Sequence, residues 1–327
     1  MQMLSVVIPS RNRANLLNST LGSIVKQTLN QNLFEVIVVN NGSTDNTLEI
    51  VESFKKQIKN LKYIFEEEPG LHIGRHAGLN VSKGDVMVFA DDDIEAIPEW
   101  LEAIYRVFQD QDVAMAGGNN LPLFVGDTPD WLLEIWNLSE QNRIKFLPAL
   151  SIIEFPVDNA DIKPWQIWGC NFPIRKKVLI DMGGFHPDGM PSNLLKFRGD
   201  GETHVTNHVF EHNLKCVYDK SITVYHKVLP ERMTYEYFYH RGYSQGISDS
   251  YSFLRNGSRA RVSNGKSTLR RIIELFVRRS KFLRYGNEAK TALNSMKRGY
   301  KAGYTFHQES YRLESIVRQW VHKDKYL

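Results

Sequence analysis

Near-continuous apolar runs, separated by segments with helical spacing, dominate the first hundred residues of this chain. Residues 6–8, 35–39 and Val86–Ala90 are such runs. Strands that are apolar on both sides are typical of a parallel sheet covered by helices on both faces. Apolar positions in residues 16–25 and 73–81 recur with the period of a helix. The pattern therefore predicts an α/β fold with a Rossmann-like, mostly parallel sheet flanked by helices.

Polar side chains follow three of the predicted strands at the point where each strand ends. They occupy residues 9–13, 40–43 and 91–93. In an open parallel sheet the carboxyl ends of the strands share one edge, and ligands bind beyond that edge. The sequence therefore predicts a ligand site there.

The acidic triplet Asp91, Asp92 and Asp93 is the most informative of these clusters. Three adjacent carboxylates repel one another, and a divalent cation relieves that repulsion. Mg²⁺ and Mn²⁺ favour oxygen ligands and commonly join a carboxylate to substrate phosphates. If the segment is extended, Asp91 and Asp93 share a face, which predicts that these two residues hold the metal.

Charge is distributed unevenly over a chain whose hydrophobic (42%) and charged (24%) contents are ordinary for a globular protein. From Arg255 onward there are 18 Lys/Arg and 5 Asp/Glu, a net charge of +13; the preceding residues carry −9. A basic tail can meet an anionic membrane surface, a nucleic acid or an acidic acceptor. No nucleic-acid-binding motif accompanies it, so no nucleic-acid partner is predicted.

The cysteine content and the apolar runs bear on the compartment. Two cysteines, Cys170 and Cys216, make no disulfide framework and suit a reducing compartment. The N-terminal residues read as a strand rather than a signal peptide. No uncharged apolar run approaches the ~18–20 residues that span a bilayer. We expect a cytoplasmic protein, at most peripheral on the inner face of the membrane.

The remainder of the chain has a different residue pattern. Residues 115–230 are irregular and rich in Trp, Pro and Gly, whereas helical patterns follow from about Tyr235, including residues 269–285 and 310–321. Trp165, Trp168 and Tyr225 are candidates for a floor on which sugar rings stack, and packing within the protein is the equal alternative. His204, His208 and His212 recur at helical spacing, but no further zinc-ligand pattern accompanies them.

Several segments taken together resemble glycosyltransferase family 2, and they appear in the order of that family over roughly residues 4–250. The resemblance implies a GT-A catalytic domain over residues 1–230, with a nucleotide-binding half to about residue 115 and an acceptor-binding half after it. Residues 231–327 would be a helical C-terminal extension. The matching segments are SVVIPSRNR (5–13), EVIVVNNGSTDNT (35–47), GRHAGLNVSKGDVMVFADDD (74–93), WGCNFPIRK (168–176), GGF (183–185), GDGET (199–203) and YHKVLPERMT (225–234).

The resemblance also implies roles for individual residues at the donor site. At the turn after the second strand the family usually presents an Asp to the base, where this chain has Asn40 and Asn41. An asparagine still donates and accepts hydrogen bonds, so uracil is the default base. His226 matches a family histidine near the phosphates and the metal. The nucleotide is assigned to Pro9, Ser10, Arg11, Asn40, Asn41, Arg75, Asp91 and Asp92.

On the acceptor side the resemblance implies a general base within Asp200-Gly201-Glu202. The family's adjacent Glu-Asp pair is replaced here by acids that a glycine separates. Alignment of the following helix places Glu202 in the position of the base, with Asp200 as the reserve candidate. The alternative for Asp200 is a helix cap, since carboxylates favour that end of a helix.

These implications give the predicted activity, an inverting transfer of a sugar from a nucleoside diphosphate to an acceptor hydroxyl. The cofactor would be Mn²⁺ or Mg²⁺, and the acceptor a saccharide or a lipid-linked glycan of cell-surface polysaccharide or glycolipid synthesis. Residues 269–279 mix apolar and cationic side chains at helical spacing, as interfacial helices do. They could instead pack on the catalytic domain or mediate homo-oligomer formation. A non-catalytic binding module and a sugar nucleotidyltransferase are the alternative functions.

Overall fold

The computed structural model describes residues 2–156, 162–257 and 282–327. The basic segment 269–279 lies outside these ranges. The strands are β1 (Leu4–Ser10), β2 (Phe34–Asn40), β3 (Leu61–Phe65), β4 (Val86–Ala90), β5 (Ile94–Ala96), β6 (Val113–Gly117), β7 (Asn120–Phe124), β8 (Lys145–Leu147), β9 (Ile152–Glu154), β10 (Asn171–Arg175), β11 (Lys215–Tyr218) and β12 (Val224–Val228). The α-helices are α1 (Ala14–Val25), α2 (Thr47–Phe54), α3 (Leu71–Val81), α4 (Trp100–Val107), α5 (Asp130–Leu138), α6 (Lys176–Asp181), α7 (Thr203–Glu211), α8 (Tyr235–Asn256), α9 (Asn287–Leu313) and α10 (Ser315–Val321).

The larger of two sheets has the strand order β11-β6-β10-β4-β1-β2-β3 within the described residues. Its pairs β4-β1, β1-β2, β2-β3 and β6-β11 are parallel, and β10 runs antiparallel to both of its neighbours. The predicted mostly parallel sheet with helices around it is confirmed. Its strand order brings the carboxyl ends of β1, β2 and β4 together at one edge.

Alternation along the central strands accounts for helices on both faces of this sheet. In β1, Val6 and Ile8 belong to one buried cluster with the residues of α1 and α4, whereas Val7 belongs to another with Leu79 of α3. Successive side chains of a strand point to opposite faces. A run that is apolar at every position therefore needs cover on both sides, and the helices provide it.

A smaller sheet, with the order β5-β12-β7-β9-β8, continues from the acidic triplet. Its first strand, β5, begins at Ile94, and His226 of β12 pairs with Ile94 across the antiparallel ladder. His226 lies in the middle of β12. This register places the histidine directly beside the triplet.

The C-terminal helices α8 and α9 pack backbone against backbone. A Cβ atom added at Gly246 would lie 2.1 Å from the carbonyl oxygen of Tyr300, and one added at Gly303 would lie 2.0 Å from that of Tyr243. Gly242 and Gly299 make equally close approaches. Glycines at these positions permit the contact, so a larger residue there would push the helices apart.

These helices share a core with the chain that precedes them. Trp131 and Leu132 of α5 belong to one buried cluster with Phe238 of α8 and Ala289 of α9. The predicted division at residue 230 thus crosses a continuous packing unit. None of the helices in the described ranges is long and apolar enough to cross a membrane.

Candidate functional site

The acidic triplet lies in a turn between β4 and β5, not in an extended segment as expected, and much of its charge is compensated by the chain itself. Asp92 pairs with Arg13 Nη1 at 2.8 Å and accepts a hydrogen bond of 2.7 Å from the Ser10 hydroxyl. Asp93, fully buried, pairs with Arg13 Nη2 at 2.6 Å and with Arg232 Nη2 at 2.9 Å. Part of the repulsion within the triplet is therefore relieved by Arg13 and Arg232, and the role of a cation stays a prediction.

The three carboxyl groups are electrostatically different from one another. Burial raises the pKa of Asp92 to about 7, against the opposing effect of Arg13. Burial acts in the same direction on Asp93, but His226, Arg232 and Arg13 outweigh it and lower the pKa of that carboxyl. Burial and the neighbouring Asp93 raise the pKa of Asp91. The side chain of Asp91 is 30% exposed, which makes it the carboxylate of the triplet that is open to a ligand.

The described residues offer one group that could hold a metal ion: ligand atoms of Asp91, Cys170 and His226 all lie within 4.8 Å of one another. His226 Nδ1 lies 2.8 Å from the carbonyl oxygen of Leu150. Because a carbonyl only accepts, Nδ1 carries the proton, and in the neutral ring Nε2 presents its lone pair. This is the tautomer that a metal-binding histidine needs.

Two further observations test whether this group fits a cation. Asp93 Oδ1 is buried without a hydrogen-bond partner and lies 3.2 Å from His226 Nε2. When the ring is neutral, both atoms are acceptors, and the Arg232 guanidinium, 3.4 Å from Nε2 at Nη1, supplies positive charge beside them; a bound cation would supply more. Cys170 is a weaker ligand candidate, since burial and then Asp91 raise the pKa of its thiol. The residues therefore fit a divalent cation on oxygen and nitrogen ligands, which Asp91 and His226 would hold, with Asp93 beside His226 as a further candidate.

Arg75 lies between the donor-side acids and the predicted general base. Its side chain is 2% exposed, with Nη2 3.8 Å from Asp91 Oδ1 and Nη1 3.4 Å from Glu202 Oε2. The guanidinium also lies 5.1 Å from the centre of the Phe185 ring. A Cβ at Gly169 would approach Arg75 Nη2 to 2.1 Å, so the glycine makes room for this arginine.

The end of the described chain supports the helix that carries Arg75. His76, the next residue of α3, donates from Nδ1 to the carbonyl oxygen of Tyr326 at 3.1 Å and accepts the Phe185 N–H at Nε2 at 2.8 Å. Burial lowers the pKa of His76 to about 4, so the ring is neutral at physiological pH. The hydroxyl of Tyr326 bonds to that of Tyr251 at 2.9 Å. Helix α8 and the C-terminal residues thereby brace α3.

Glu202 immediately precedes α7 and faces an open pocket. Its Oε1 accepts the N–H of Gly169 and its Oε2 lies near Arg75, both at 3.4 Å. Charge-assisted bonds are ordinarily 2.7–2.9 Å long, so this carboxylate is held loosely and can turn to a ligand. The residues that line the pocket are Pro148, Ser151, Trp165, Ile167, Trp168, Glu202, Thr203, Thr206, Arg241 and Gln245.

Asp200, the reserve candidate for the base, is turned into the protein. Its Oδ1 lies 2.6 Å from His186 Nδ1, and its Oδ2 accepts a 2.6 Å bond from the Ser252 hydroxyl. Burial opposes ionisation of Asp200, but His186 and Ser252 outweigh it and lower the pKa. Asp200 is not among the residues that line the pocket. The contacts give it a structural role that links α8 to the loop before α7.

The other predicted nucleotide residues lie at the expected edge, and several of them are engaged within the protein. Asn40 donates to the Tyr63 hydroxyl at 2.7 Å and accepts the Ser43 N–H at 2.6 Å. Asn41 donates to the carbonyl oxygen of Glu68 at 2.7 Å. Pro9 and Ser10 end β1, and Arg11 is exposed beyond it. Base recognition by the two asparagines stays a prediction.

The three predicted stacking aromatics do not lie together. Trp165 and Trp168 line the pocket beside Glu202, whereas Tyr225 is 40% exposed and neighbours His226 on β12. Adjacent residues of a strand point to opposite faces, so Tyr225 points away from the site that His226 enters. His204 stacks on His186 with ring centres 3.7 Å apart, and none of the three histidines of this run belongs to the metal-ligand group found among the described residues.

Sequence reasoning missed four side chains of the site. Arg13 lies in the first family-like segment, 5–13, and Arg232 in the last, 225–234. The sequence of a motif does not reveal which carboxylate such an arginine pairs with. Cys170 was considered only as a thiol. Arg241 had no motif at all. Their roles depend on contacts between segments that are far apart in the chain.

Comparisons with known proteins bear on this arrangement. The sequence profile of the family described as Glycosyl transferase family 2 matches residues 5–182. Validoxylamine A glucosyltransferase of Streptomyces hygroscopicus subsp. jinggangensis is 36% identical over 104 residues, which are 31% of this chain and 24% of that protein. Glycosyltransferase AglE of Haloferax volcanii is 34% identical over 116 residues, 35% of this chain and 38% of that protein. The similarity thus spans less than half of either relative.

A solved structure extends the likeness in fold beyond these segments. The mannosyltransferase PcManGT from Pyrobaculum calidifontis, in complex with GDP-Man and Mn²⁺, superimposes with a TM-score of 0.53 at 17% identity, covering 97% of this chain and 82% of that one. At this identity the likeness concerns the fold. Together with the profile match over more than half of the chain, it identifies the protein as a member of glycosyltransferase family 2 with the GT-A fold.

Proposed function

We propose that this protein is an inverting glycosyltransferase that moves a sugar from a nucleoside diphosphate to an acceptor hydroxyl, with Glu202 as the general base. One observation carries the proposal. The buried Arg75 lies between Asp91 on the donor edge and Glu202 in the pocket, at 3.8 and 3.4 Å. A single guanidinium therefore lies between the donor edge and the pocket of the predicted base, the two regions that such a transfer requires.

The donor edge is suited to a diphosphate. Arg13, Arg75 and Arg232 surround the acidic triplet, and guanidinium groups match phosphate oxygens in geometry and charge. Asp91, Asp93 and His226 would hold the divalent cation. When bound, Mn²⁺ or Mg²⁺ would supply positive charge beside the departing diphosphate.

The acceptor side is suited to activation of a hydroxyl. Glu202 would accept the acceptor proton while the oxygen forms its bond to the anomeric carbon. The bond from that carbon to the phosphate oxygen breaks, and the nucleoside diphosphate leaves with the electron pair. A single displacement of this kind inverts the anomeric configuration. Trp165 and Trp168 would hold the sugar rings by their apolar faces and exclude water.

The base and the sugar of the donor are a separate part of the proposal. We propose a UDP-sugar as the default donor. Because the mannosyltransferase structure contains GDP-Man, a GDP-sugar is the first alternative. A panel of UDP-, GDP- and dTDP-sugars, scored by release of the nucleoside diphosphate, tests it. Release of inorganic pyrophosphate instead would indicate a nucleotidyltransferase, and no release from any donor would indicate a binding module.

The acceptor is proposed to be a saccharide or a lipid-linked glycan of cell-surface synthesis. The support is the net charge of +13 from Arg255 onward, which includes the amphipathic segment 269–279. We expect the full chain to float with anionic liposomes at low salt and to be released by high salt. Protein that stays at the bottom of the gradient contradicts membrane association.

The base is tested with two matched amide substitutions. We expect Glu202→Gln to keep nucleotide binding and to lose at least a hundredfold in transfer rate, the scale of general-base catalysis. Asp200→Asn should retain measurable transfer, because Asp200 is turned away from the pocket. Transfer that survives in the first variant and disappears in the second would reassign the base to Asp200.

The metal is tested by its removal. We expect EDTA to abolish transfer and Mn²⁺ or Mg²⁺ to restore it, and we expect Mn²⁺ to bind the nucleotide-free protein as observed by electron paramagnetic resonance. His226→Ala should weaken that binding. Full transfer in EDTA would contradict the role of the metal.

A further inference from the structure

The pocket beside Glu202 contains a cation that neither the sequence motifs nor the proposed reaction explains. Arg241 lies in α8, outside the residues 5–182 that match the family profile, and lines the pocket with Glu202, Trp165 and Trp168. Its side chain is half-buried. The C-terminal helices therefore contribute directly to the pocket.

The guanidinium of Arg241 makes no ion pair with a described carboxylate, although its charge contributes to the lowered pKa of the buried Asp188. Its Nε donates to the carbonyl oxygen of Ala149 at 3.2 Å and its Nη2 to that of Pro148 at 3.4 Å. Within the described residues no carboxylate lies within 4.0 Å of it. By contrast, Arg198, also half-buried, pairs with Asp188 at 2.5 Å. A partly desolvated charge that is oriented by neutral carbonyls is ready for an anion from outside the protein.

The position of Arg241 separates it from the donor diphosphate. None of the residues that line its pocket belongs to the acidic triplet or to Arg13 and Arg232, whereas Glu202 does line it. A group that Arg241 binds thus lies on the side of the base. In the proposed reaction, that side faces the acceptor.

We infer that the acceptor of this enzyme is an anionic saccharide, whose carboxylate or phosphate group is bound by Arg241 while its hydroxyl faces Glu202. This inference rests on the proposed function and adds the substrate class. The carboxylate of Glu202 lines the same pocket as Arg241 and repels an anionic ligand. A local cation in the pocket is therefore needed to bind one.

The inference is tested by ligand-observed NMR titration of the full chain, which needs no turnover. The probes are methyl β-D-glucuronide, glucose 6-phosphate and the neutral methyl β-D-glucoside; inorganic phosphate shows whether a sugar is required. We expect both anionic sugars to bind roughly tenfold or more tightly than the neutral one, as a charge-assisted contact provides. Equal affinity for the three sugars, or binding of inorganic phosphate as tight as that of the anionic sugars, would overturn the inference.

Variants of Arg241 separate charge from structure. Arg241→Gln keeps a donor for the carbonyl oxygen of Ala149 and should lose the preference for anionic sugars, whereas Arg241→Lys should keep most of it. Arg298→Gln removes an exposed charge from α9 and serves as the matched control, with the preference intact. A preference that survives in Arg241→Gln, or that is lost equally in Arg241→Lys, contradicts the inference.

The proposed sugar transfer and the inferred anionic acceptor are tested by different experiments. If no donor releases a nucleoside diphosphate while the titrations show a preference that depends on Arg241, the proposed transfer is wrong and the anion site stands. If transfer depends on Glu202 but the sugars bind alike, the inference alone is wrong.

Discussion

The donor edge and the acceptor pocket lie side by side but are built differently. The donor edge consists of residues that follow β1, β2 and β4, which are neighbours in the sheet. Its buried acids are held by ion pairs of 2.6–2.9 Å. The pocket collects the 3₁₀ turn Pro148–Leu150, the start of α7 and one face of α8, and its base has contacts of 3.4 Å.

This difference suggests a division of roles. A preformed set of charges suits a diphosphate, which is common to all donors of one class. A looser pocket, built from segments outside the sheet, can change its substrate without disturbing the sheet. Arg75 joins the two regions, and the C-terminal residues brace it through His76.

The largest effect is expected when a carboxylate is replaced by its amide at the donor edge, in comparison with the same replacement in the acceptor pocket. Asp93→Asn removes the charge of a fully buried carboxylate that pairs with two partly exposed guanidinium groups, so we expect the free energy of unfolding to fall by about 3–5 kcal/mol. Glu202→Gln should cost less than about 1 kcal/mol, because the carboxylate is partly exposed and loosely held. Urea unfolding of both variants measures the contrast; equal losses would remove the proposed distinction between the regions.

A second prediction concerns the helix pair that carries Arg241. In Gly246→Ala the added methyl meets the Tyr300 carbonyl oxygen at 2.1 Å, and we expect a loss of about 1–3 kcal/mol in unfolding free energy. Displacement of α8 should raise the acceptor KM more than the donor KM.

The matched control for this glycine is in α1. A Cβ at Gly22 meets nothing within 4 Å, so Gly22→Ala should stabilise the protein by up to about 1 kcal/mol through helix propensity. If both alanine variants have the same free energy of unfolding, the result contradicts a close backbone approach of α8 and α9 at Gly246.

A third prediction follows from the ionisation of Asp200. Its pKa is lowered in the folded protein, so its stabilisation is complete above the unfolded value near 3.8 and is lost as the pH falls through the folded value. Asp200→Asn should cost about 1–3 kcal/mol at neutral pH and lose less stability on acidification than the parent. Parallel curves of stability against pH for the two proteins would contradict this assignment.

The smallest expected effect is at the C-terminal brace. Tyr326→Phe removes two hydrogen bonds of the Tyr326 hydroxyl, the one that it accepts from Tyr251 and the one that it donates to the carbonyl oxygen of Trp320, which should cost about 1–2 kcal/mol in unfolding free energy. The Nδ1 bond of His76 is to the Tyr326 backbone and should persist, so we expect transfer to slow by less than threefold. A larger loss of transfer would show that the hydroxyl pair itself positions α3.

The sheet was predictable because its signal is local and periodic. Buried strands are apolar at nearly every position, and the apolar positions of the helical segments between them recur with the period of a helix. For this reason β1, β2 and β4 could be located from the sequence. Their carboxyl ends must then share an edge. The acidic triplet was found for the same reason.

The details of the site were less predictable, because they depend on contacts between distant parts of the chain. Asp91, Asp93 and His226 were named together, but the turn after β4 and the compensation of Asp93 by Arg13 were not foreseen. Alignment of the following helix favoured Glu202 over Asp200 as the base, but the sequence did not reveal that Asp200 contacts His186 and that Glu202 lies near Arg75.

Over the first hundred residues the sequence by itself determined the order of strands and helices, the edge where ligands bind and the acids placed there, since these follow from residue spacing along one segment. The strands β6–β11, in a region that was expected to be irregular, were not foreseen. The tertiary structure decided which acids are compensated and which face a ligand. Those outcomes depend on pairs such as Arg13 with Asp93 and Arg75 with Glu202, which are 80 and 127 residues apart. Such pairs form only when the complete chain packs, because ion pairing requires distances of a few ångströms that no spacing in the sequence encodes.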